Sequence, residues 1–322
     1  MERKITRETE IRGTITSTGS KMILDEAAAT LRNLYNDTLD RLVIERLVVG
    51  VFFTGVKLSN GQAGVAYTPP EIMKSAGNRI LKGSTPTIRG MKAAAVMAGD
   101  VPGPFAEVIR LATLNALSVI FFESPRYQMD TSGDLSGIPS LFQNRKVCMV
   151  GAIIPLLKRL KGINTTQVTI IDHKKETQAE SEAGYGTFIS PDRTAEALAE
   201  CETAVFTGAA IANGSISQLI DLVPKDSAIA VVGPTAGFIP EPLFHRNVAM
   251  VGTVMVTDSD QVMEILAEGG GGYRLFNTCV QKINLLNMPR LRQLGLNGFS
   301  LKNQNCSAGV IPYASMSSPV YL

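Results

Sequence analysis

The sequence predicts an α/β protein in which a small α+β domain at residues 20–123 precedes a Rossmann-like parallel-sheet domain at residues 138–287. Two patterns carry this prediction. Before Pro69 a helical period gives way to an apolar run and a hairpin signal, whereas after Lys146 short apolar runs alternate with amphipathic stretches. A length of 322 residues also favours two domains over one.

The first predicted domain combines a helix with a hairpin. Over residues 21–41, apolar residues recur at the spacing of one helix face, whereas residues 43–58 are rich in the β-branched and aromatic residues of strands. Asn60-Gly61 follows, a pair that favours a tight hairpin with positive φ at both turn residues. The sequence therefore predicts that residues 43–58 pair with a strand over residues 62–67.

A second helix is predicted from Pro102 and Pro104 to about Phe122, and Asn115 lies on its apolar face. A buried amide must find hydrogen-bond partners or it costs about 1–3 kcal/mol. Two interpretations of Asn115 follow. Either it hydrogen-bonds the backbone of a neighbouring loop, or it points into a cleft that faces the second domain.

The second domain opens with a βαβ pattern. Residues 146–150 and 168–171 are short apolar runs typical of buried strands, and Pro155 between them suits the first turn of a helix. A strand, a helix and a strand in so short a stretch predict parallel strands and a right-handed crossover. Asp172 closes the second strand, where dinucleotide-binding folds carry a ribose-binding acid. The other interpretation of Asp172 is a residue that caps a loop.

The turn after the first of these strands argues against NAD as a cofactor. A phosphate-binding G-x-G-x-x-G loop needs its second glycine because the backbone must approach the pyrophosphate closely. Residues 151–156 carry one glycine, and Ile153 and Ile154 are bulky where small residues are required. The sequence therefore predicts a Rossmann-like scaffold that does not bind NAD tightly.

Each later strand ends in a turn rich in small or polar residues. Such turns gather at the carboxyl edge of a parallel sheet, where ligands bind. The sequence therefore predicts a small-molecule site at this edge, in a cleft against the first domain. The predicted ligand-binding residues are Asn115, Gly151, Asp172, Gly208, Gly233, Thr235, Gly269 and Gly270.

The expected ligand is anionic or carries a metal. Glycine turns can expose backbone N–H groups, and a helix N-terminus adds partial positive charge. Asp172 and Glu268 would supply oxygen ligands to a metal ion, so the expected cofactor is a metal ion or a metal chelate. The alternative is that Asn115 and Thr235 satisfy loop backbone and that the glycines only shape turns.

The composition excludes several classes of protein. A net charge of +2 is too small to favour nucleic acid or an anionic membrane surface as a partner. The most apolar helical stretch, residues 105–122, is interrupted by Glu107 and Arg110 and is short for a membrane span. Four scattered cysteines, two histidines and no secretory signal core favour reduced thiols in the cytoplasm and no local zinc motif.

Residues 288–322 lose periodicity and carry several glycines and prolines. An irregular C-terminal extension is predicted there, either draped on the body of the protein or exchanged with a neighbouring subunit. The second arrangement would make the protein a homo-oligomer.

Three stretches carry a resemblance to a known family. They are residues 50–68 together with 111–117, residues 232–240, and residues 252–271. Over about residues 20–287 the chain is similar to the "putative heavy-metal chelation" family of bacterial and archaeal proteins. The resemblance implies an enolase N-terminal-like domain, a Rossmann-like domain after it, and a site between the two.

Three functions fit these features. The first is a protein that binds a small molecule or a metal chelate in the interdomain cleft, with a role in heavy-metal chelation or handling. The second is an atypical nucleotide- or S-adenosylmethionine-using Rossmann-like enzyme, although residues 151–156 lack the glycine-rich loop of methyltransferases with that scaffold. The third is a structural subunit with a vestigial cleft. The first is preferred.

Overall fold

The computed structural model describes residues 19, 21–74, 87–132, 138–172, 178 and 184–296. Within them the chain forms two sheets with helices packed against them, which confirms the predicted α/β class. One sheet has three antiparallel strands, and the other has eight strands of which most are parallel. In this part of the chain, no helix combines the length and the apolar character needed to cross a bilayer.

The small sheet contains β1 (Ile44–Val49), β2 (Phe53–Leu58) and β3 (Ala63–Tyr67), in that order. The β-like run at residues 43–58 is thus two antiparallel strands, which meet at a corner over residues 50–52. β1 forms one edge of this sheet, and β3 forms the other.

The predicted hairpin joins β2 to β3. The N–H of Leu58 donates to the carbonyl oxygen of Gln62 at 2.8 Å, which closes a three-residue loop. Only Gly61 in this loop has a positive φ, of +84°, so the expectation of a positive φ at Asn60 is wrong. The reason is loop length: a three-residue hairpin loop needs one left-handed residue, whereas a two-residue Asn-Gly turn needs two.

Three helices share the hydrophobic core of the small sheet: α1 (residues 21–35), α2 (Ala93–Ala98) and α3 (Ala106–Phe122). The helix predicted over residues 21–41 changes type, since Asn36–Arg41 form a 3-10 helix. α3 confirms the helix predicted to end near Phe122.

The backbone of α3 packs directly against the backbone of β3 at Gly64. A Cβ on Gly64 would lie 2.2 Å from the backbone nitrogen of Ala116 and 2.4 Å from the carbonyl oxygen of Ala112. A side chain on Gly64 would therefore push the helix off the sheet. This close approach brings Asn115 over the end of the small sheet that faces the large one.

The large sheet contains β4 (Gln128–Asp130), β5 (Lys146–Val150), β6 (Gln167–Ile171), β7 (Thr187–Ile189), β8 (Thr203–Thr207), β9 (Ala228–Val232), β10 (Met250–Val256) and β11 (Val280–Leu286). Six strands, in the order β10-β9-β8-β5-β6-β7, are parallel, and all of them except β7 were predicted. β11 pairs antiparallel with β10 and with β4.

The order in which the parallel strands are added to the sheet reverses at β5. Counted along the chain from β5, their spatial order is 3-2-1-4-5-6, so successive strands are added on one side and then on the other. Ligands of open parallel sheets bind outside the carboxyl ends of the strands at such a switch point. The turns after β5 and β8 occupy that place here.

Strands β4, β7 and β11 were not predicted from the sequence. β4 and β7 have three residues each, too few for a periodic signal, and β4 lies in a stretch that reads as a linker. The apolar residues of β11 gather in its second half, which is buried on both faces, and therefore do not alternate.

The helices that follow α3 are α4 (Ile154–Lys161), α5 (Thr194–Ala199), α6 (Ala209–Ala212), α7 (Ile216–Asp221), α8 (Glu241–Phe244), α9 (Ser259–Ala267), α10 (Gly272–Thr278) and α11 (Met288–Gln293). α4 connects the parallel strands β5 and β6, which confirms the predicted βαβ unit. α9 begins as predicted at Asp258, whose carboxylate accepts a hydrogen bond from the N–H of Gln261 at 2.9 Å.

The extension predicted as irregular over residues 288–322 begins with a helix, so that expectation is wrong for α11. The side-chain oxygen of Asn287 accepts a hydrogen bond from the N–H of Arg290 at 3.3 Å, and a proline suits the first turn. An asparagine cap followed by proline was the available signal. The remainder of the extension, from residue 297, lies outside the described residues.

One hydrophobic core runs through both sheets. Leu31 of α1 and Leu114 of α3 belong to the same buried cluster as Phe206 of β8 and Phe238. The region for which the sequence predicts an open cleft is therefore packed at its centre.

Candidate functional site

The turns that follow β5, β8 and β9 meet at one edge of the large sheet. Gly151 has a φ of +83°, and a Cβ there would lie 2.5 Å from Thr207 Oγ1. A Cβ on Gly208 would lie 2.8 Å from the Cβ of Thr235. Gly151, Gly208 and Thr235 are thus brought to one place, and the glycines are there because the turns pack too closely for side chains.

The N–H groups of these glycines are not available to a ligand. Those of Gly151, Gly208 and Gly233 each donate to a carbonyl oxygen of a neighbouring strand, at 2.8, 2.9 and 2.8 Å. Those of Gly269 and Gly270 donate to carbonyl oxygens in the last turn of α9, at 3.1 and 2.8 Å. The expectation of free N–H groups for an anion is wrong, because the strand ladder and the helix end use them.

Asp172 follows β6 and faces the turn after β5. Its Oδ2 accepts a hydrogen bond from the N–H of Ala152 at 2.9 Å, so the side chain caps the turn that leads into α4. A carboxylate next to a helix N-terminus is also favoured by the helix dipole. The chain's own Asp172 therefore occupies the position expected for an anionic ligand.

Asn115 joins the two sheets. Its Nδ2 donates to the carbonyl oxygen of Val65 in β3 at 2.7 Å and to those of Pro234 and Thr235 at 3.2 Å each. Its exposed fraction is 3%. Asn115 hydrogen-bonds the backbone of a neighbouring loop, which agrees with the first of its two interpretations.

Thr235 makes a second link across the same junction. Its Oγ1 accepts a hydrogen bond from the N–H of Tyr67 at 2.9 Å, and its side chain is buried. The last residue of β3 is therefore fixed to the turn after β9. Ser118, one helical turn after Asn115, accepts a hydrogen bond from the N–H of Ile239 at 2.9 Å. We call Asn115, Ser118 and Thr235, which link the two sheets, the polar seam.

Two buried polar atoms at the seam have no hydrogen-bond partner among the described residues: Asn115 Oδ1 and Thr253 Oγ1. Both lie beside Gly237, where a Cβ would be 3.3 Å from the Asn115 Cγ and 3.1 Å from Thr253 Oγ1. A polar atom that is desolvated and unpaired costs free energy. Both side chains therefore lie close to position 237, where a side chain larger than that of glycine would crowd them.

A group of acidic and phenolic side chains lies next to this seam. The pKa of the Tyr67 phenol is raised, chiefly by burial and then by the negative charges of Glu71 and Asp172. The Tyr67 ring packs edge-to-face on Phe53, with 6.4 Å between the ring centroids. Glu71, shortly after β3, and Asp172, directly after β6, thus each act electrostatically on the Tyr67 phenol. We call Tyr67, Glu71 and Asp172 the oxygen cluster.

Neither Tyr67 nor Glu71 was among the site residues predicted from the sequence. The available signal was a polar aromatic residue at a strand end directly before Pro69 and Pro70, followed by an acid. Only the packing of β3 beside the carboxyl edge of the large sheet brings both residues towards Asp172.

The loop after α9 lies against the corner of the small sheet. Positions Gly269 and Gly271 face Val51 and Phe52, where Cβ atoms would lie 3.8 and 3.4 Å from those side chains. Glu268 is exposed and forms an ion pair of 2.7 Å with Arg274. Its carboxylate is therefore paired with a side chain of α10, which weighs against the expected metal-binding role.

The described residues do not fit a soft-metal site. They contain no group of three or more His, Cys, Asp or Glu side chains placed to hold an ion. Burial raises the pKa of the Cys148 thiol to about 12 and that of Cys201 to about 11, and it also raises the pKa of Cys279. Soft metals bind the thiolate, and these three buried groups are protonated thiols near neutral pH.

Two family sequence models match the chain, and both are described as "Putative heavy-metal chelation". One matches residues 32–118 and the other matches residues 134–285. The first spans the small sheet with α3, and the second spans most of the large sheet. No curated protein matches the sequence.

Two solved structures share the fold. A protein of unknown function from Pyrococcus horikoshii, in the family matched at residues 134–285, is 18% identical, covers 82% of this chain and 99% of its own, and has a TM-score of 0.62. A protein of unknown function from the same family in Desulfitobacterium hafniense is 16% identical, covers 80% and 98%, and has a TM-score of 0.55. At these identities the likeness shows the fold alone.

Proposed function

This chain belongs to the family described as "putative heavy-metal chelation", and on that premise we propose that it binds a metal ion together with a small organic chelator. The proposed site is the carboxyl edge of the Rossmann-like sheet, between the ends of β3 and β6. The observation that carries the proposal is that Asp172, which caps the turn after β5, and Tyr67, whose N–H is bonded to the turn after β9, lie at the same edge of the large sheet.

Oxygen rather than sulfur would contact the metal. Cys148, Cys201 and Cys279 are buried and protonated, whereas Glu71 is exposed and Asp172 and Tyr67 are half-buried. Carboxylates and phenols favour hard or borderline cations over soft ones. The site would therefore accept a metal whose remaining ligands tolerate oxygen neighbours.

A chelate fits this cluster better than a bare ion. Hard divalent cations take about six to eight ligands. The oxygen cluster supplies two carboxylates and a protonated phenol, so most coordination positions would be filled by the organic part of the ligand. The aromatic faces of Phe53 and Tyr67 lie beside the cluster and offer apolar contact to that organic part.

Asp172 would have two tasks in such a site. One carboxylate oxygen holds the N–H of Ala152 and orients the side chain. The negative charge would then attract the cation without a rearrangement of the turn. Tyr67 is oriented by its backbone bond to Thr235 and would donate or accept through its phenol.

The proposal is tested with copper chelates that differ in open coordination positions. Cu²⁺–nitrilotriacetate leaves positions open, whereas Cu²⁺–EDTA does not. Untagged full-length protein is titrated by calorimetry and by electron paramagnetic resonance of the copper. We expect binding and an altered copper spectrum with Cu²⁺–nitrilotriacetate, and neither with Cu²⁺–EDTA nor with nitrilotriacetate alone.

Two conservative variants connect that binding to the oxygen cluster. Asp172→Asn keeps an acceptor for Ala152 but removes the charge, and Tyr67→Phe removes only the hydroxyl. Each should weaken Cu²⁺–nitrilotriacetate binding at least about tenfold while the melting temperature stays unchanged. Glu264→Gln, an exposed acid on α9, is the control and should bind like the wild type.

Three results would overturn the proposal. Equal binding by Asp172→Asn and the wild type would remove the oxygen cluster from the site. Tight binding of Cu²⁺ without a chelator would replace the chelate by a bare ion. Saturable binding of S-adenosylmethionine or NAD, with none of the copper chelates, would favour a nucleotide-using enzyme instead.

A further inference from the structure

We propose that a second site, beside the edge strand β1, binds a small amphipathic anion. A cavity of about 730 Å³ lies there, between β1, the residues before α2 and the start of α3. Its volume is in the range of small-molecule sites, about 300–1,000 Å³. The oxygen cluster and the glycine turns do not line it, so this inference does not rest on the proposed function.

The charges in this cavity favour an anion. Its acids, Glu45 and Asp260, both pair with Lys57, at 3.0 and 2.7 Å. Its two other charged residues, Arg46 and Arg89, form no ion pair within the part of the chain that the structure describes. The acids are thus engaged by their own cation, and two guanidinium groups remain for a ligand. Guanidinium forms bidentate hydrogen bonds to carboxylate and sulfonate-like groups.

The rest of the cavity wall is apolar. Leu47, Phe105 and Ile109 line it, with Ile88 and Val49 beside the arginines. Ile88 and Ile109 are buried, and Leu47, Val49 and Phe105 are half-buried. Removing a hydrocarbon from water against such a wall is favourable, at about 25 cal/mol per Å². The ligand that matches both parts has an apolar body and one anionic group.

The site is tested with 1-anilinonaphthalene-8-sulfonate, a fluorescent amphipathic anion, on the full-length chain. We expect saturable binding that octanoate displaces and that octylamine, a cation of the same chain length, does not. Arg46→Gln and Arg89→Gln should each weaken probe binding about tenfold, because each removes a charge-assisted hydrogen bond to the sulfonate. Both side chains are exposed, so the melting temperature should not change.

A matched control is Arg32→Gln, an exposed arginine on α1 away from the cavity, which should bind the probe like the wild type. Unchanged probe affinity in the Arg46→Gln/Arg89→Gln variant would overturn the proposal. So would equal displacement by octylamine and octanoate. Competition by an acidic extended peptide but not by octanoate would also overturn it, in favour of strand addition to β1. Cu²⁺–nitrilotriacetate should leave the probe bound, which keeps the two proposals separable.

Discussion

The side-chain amide of Asn115 donates a hydrogen bond to the carbonyl oxygen of Thr235, across a distance of 3.2 Å and 120 positions of sequence. Asn115 belongs to α3, which packs on the small sheet, and Thr235 belongs to the turn after β9 of the large sheet. The Thr235 hydroxyl oxygen in turn accepts a hydrogen bond from the N–H of Tyr67 in β3. This pair therefore fixes the two sheets against each other, and the oxygen cluster lies at the rim of that junction.

Asn115→Ala should lower the free energy of unfolding by about 1–3 kcal/mol, because three backbone carbonyl oxygens lose their donor in a buried place. Urea denaturation measures the change. Asn277→Ala, an exposed asparagine on α10, is the control and should change stability by less than about 0.5 kcal/mol. If Asn115→Ala melts normally but binds Cu²⁺–nitrilotriacetate poorly, Asn115 contacts the ligand and is not a structural link.

Gly64→Ala should destabilise the protein by about 1–3 kcal/mol or more, since the new methyl would lie 2.2 Å from a backbone nitrogen of α3 that cannot move alone. The control is Gly162→Ala, where the nearest atom is 3.4 Å from the new Cβ and φ is −83°. That variant should be tolerated. A wild-type denaturation midpoint for Gly64→Ala would contradict the close packing of α3 on β3.

Acid should remove the contribution of the Glu26–Arg246 ion pair. Both Glu26 oxygens accept hydrogen bonds from Arg246, at 2.6 and 2.8 Å, and these bonds lower the pKa of Glu26 from its ordinary value of 4.5. Because the folded-state pKa is the lower one, the stabilisation is present above about pH 4.5 and is lost as the pH falls through the folded-state value.

The measurement compares melting temperatures of the wild type and Glu26→Gln at pH 7 and pH 3. We expect the wild type to be the more stable at pH 7 and the gap to be smaller at pH 3, below the ordinary pKa of the carboxyl. Glu196→Gln removes the exposed pair with Arg193 and should show little difference at either pH. A gap for Glu26→Gln that is the same at both pH values would mean that the side chain stabilises through packing and not through its charge.

The buried cysteines should be unreactive in the folded protein. In a Cys306→Ser background, Ellman's reagent at pH 7.5 should label almost nothing in minutes, whereas denaturant should release the three thiols Cys148, Cys201 and Cys279. Burial hides them and raises their pKa, so thiolate is scarce. Added Asn277→Cys, at an exposed position of α10, supplies the positive control. Rapid native labelling without it would show that one of the three is accessible.

Much of the larger sheet could be predicted from local sequence. The runs at β5, β6, β8, β9 and β10 are apolar on both faces because helices or neighbouring layers cover both sides, and Pro155 and Asp258 begin helices for local backbone reasons. The hairpin at Gly61 was found for the same kind of reason, although only one of its two expected turn residues has a positive φ. Short strands such as β4 and β7 give no such signal.

The candidate site was less accessible to sequence reasoning. The glycines at positions 151, 208 and 233 were correctly located in turns after strands, but their N–H groups were expected to be free. Whether an N–H is free depends on which strand lies alongside it, and that is a property of sheet order. Glu268 was expected near a metal, but it pairs with Arg274 of the helix that begins at Gly272. That helix was not predicted, because a run of four glycines is not typical of a helix start.

Residue spacing within single elements was enough to predict the α/β class, the βαβ unit around Gly151 and the position of Asn115 on an apolar helix face. The tertiary structure was needed to show that Asn115 holds Thr235 and that Glu71 and Asp172 both act on Tyr67. It alone also decided that Glu45 and Asp260 share Lys57 while two arginines line the same cavity. These contacts join residues about 100 or more positions apart in most cases, and the physical reason is that burial of one shared hydrophobic core, and not any local propensity, sets how the two sheets meet.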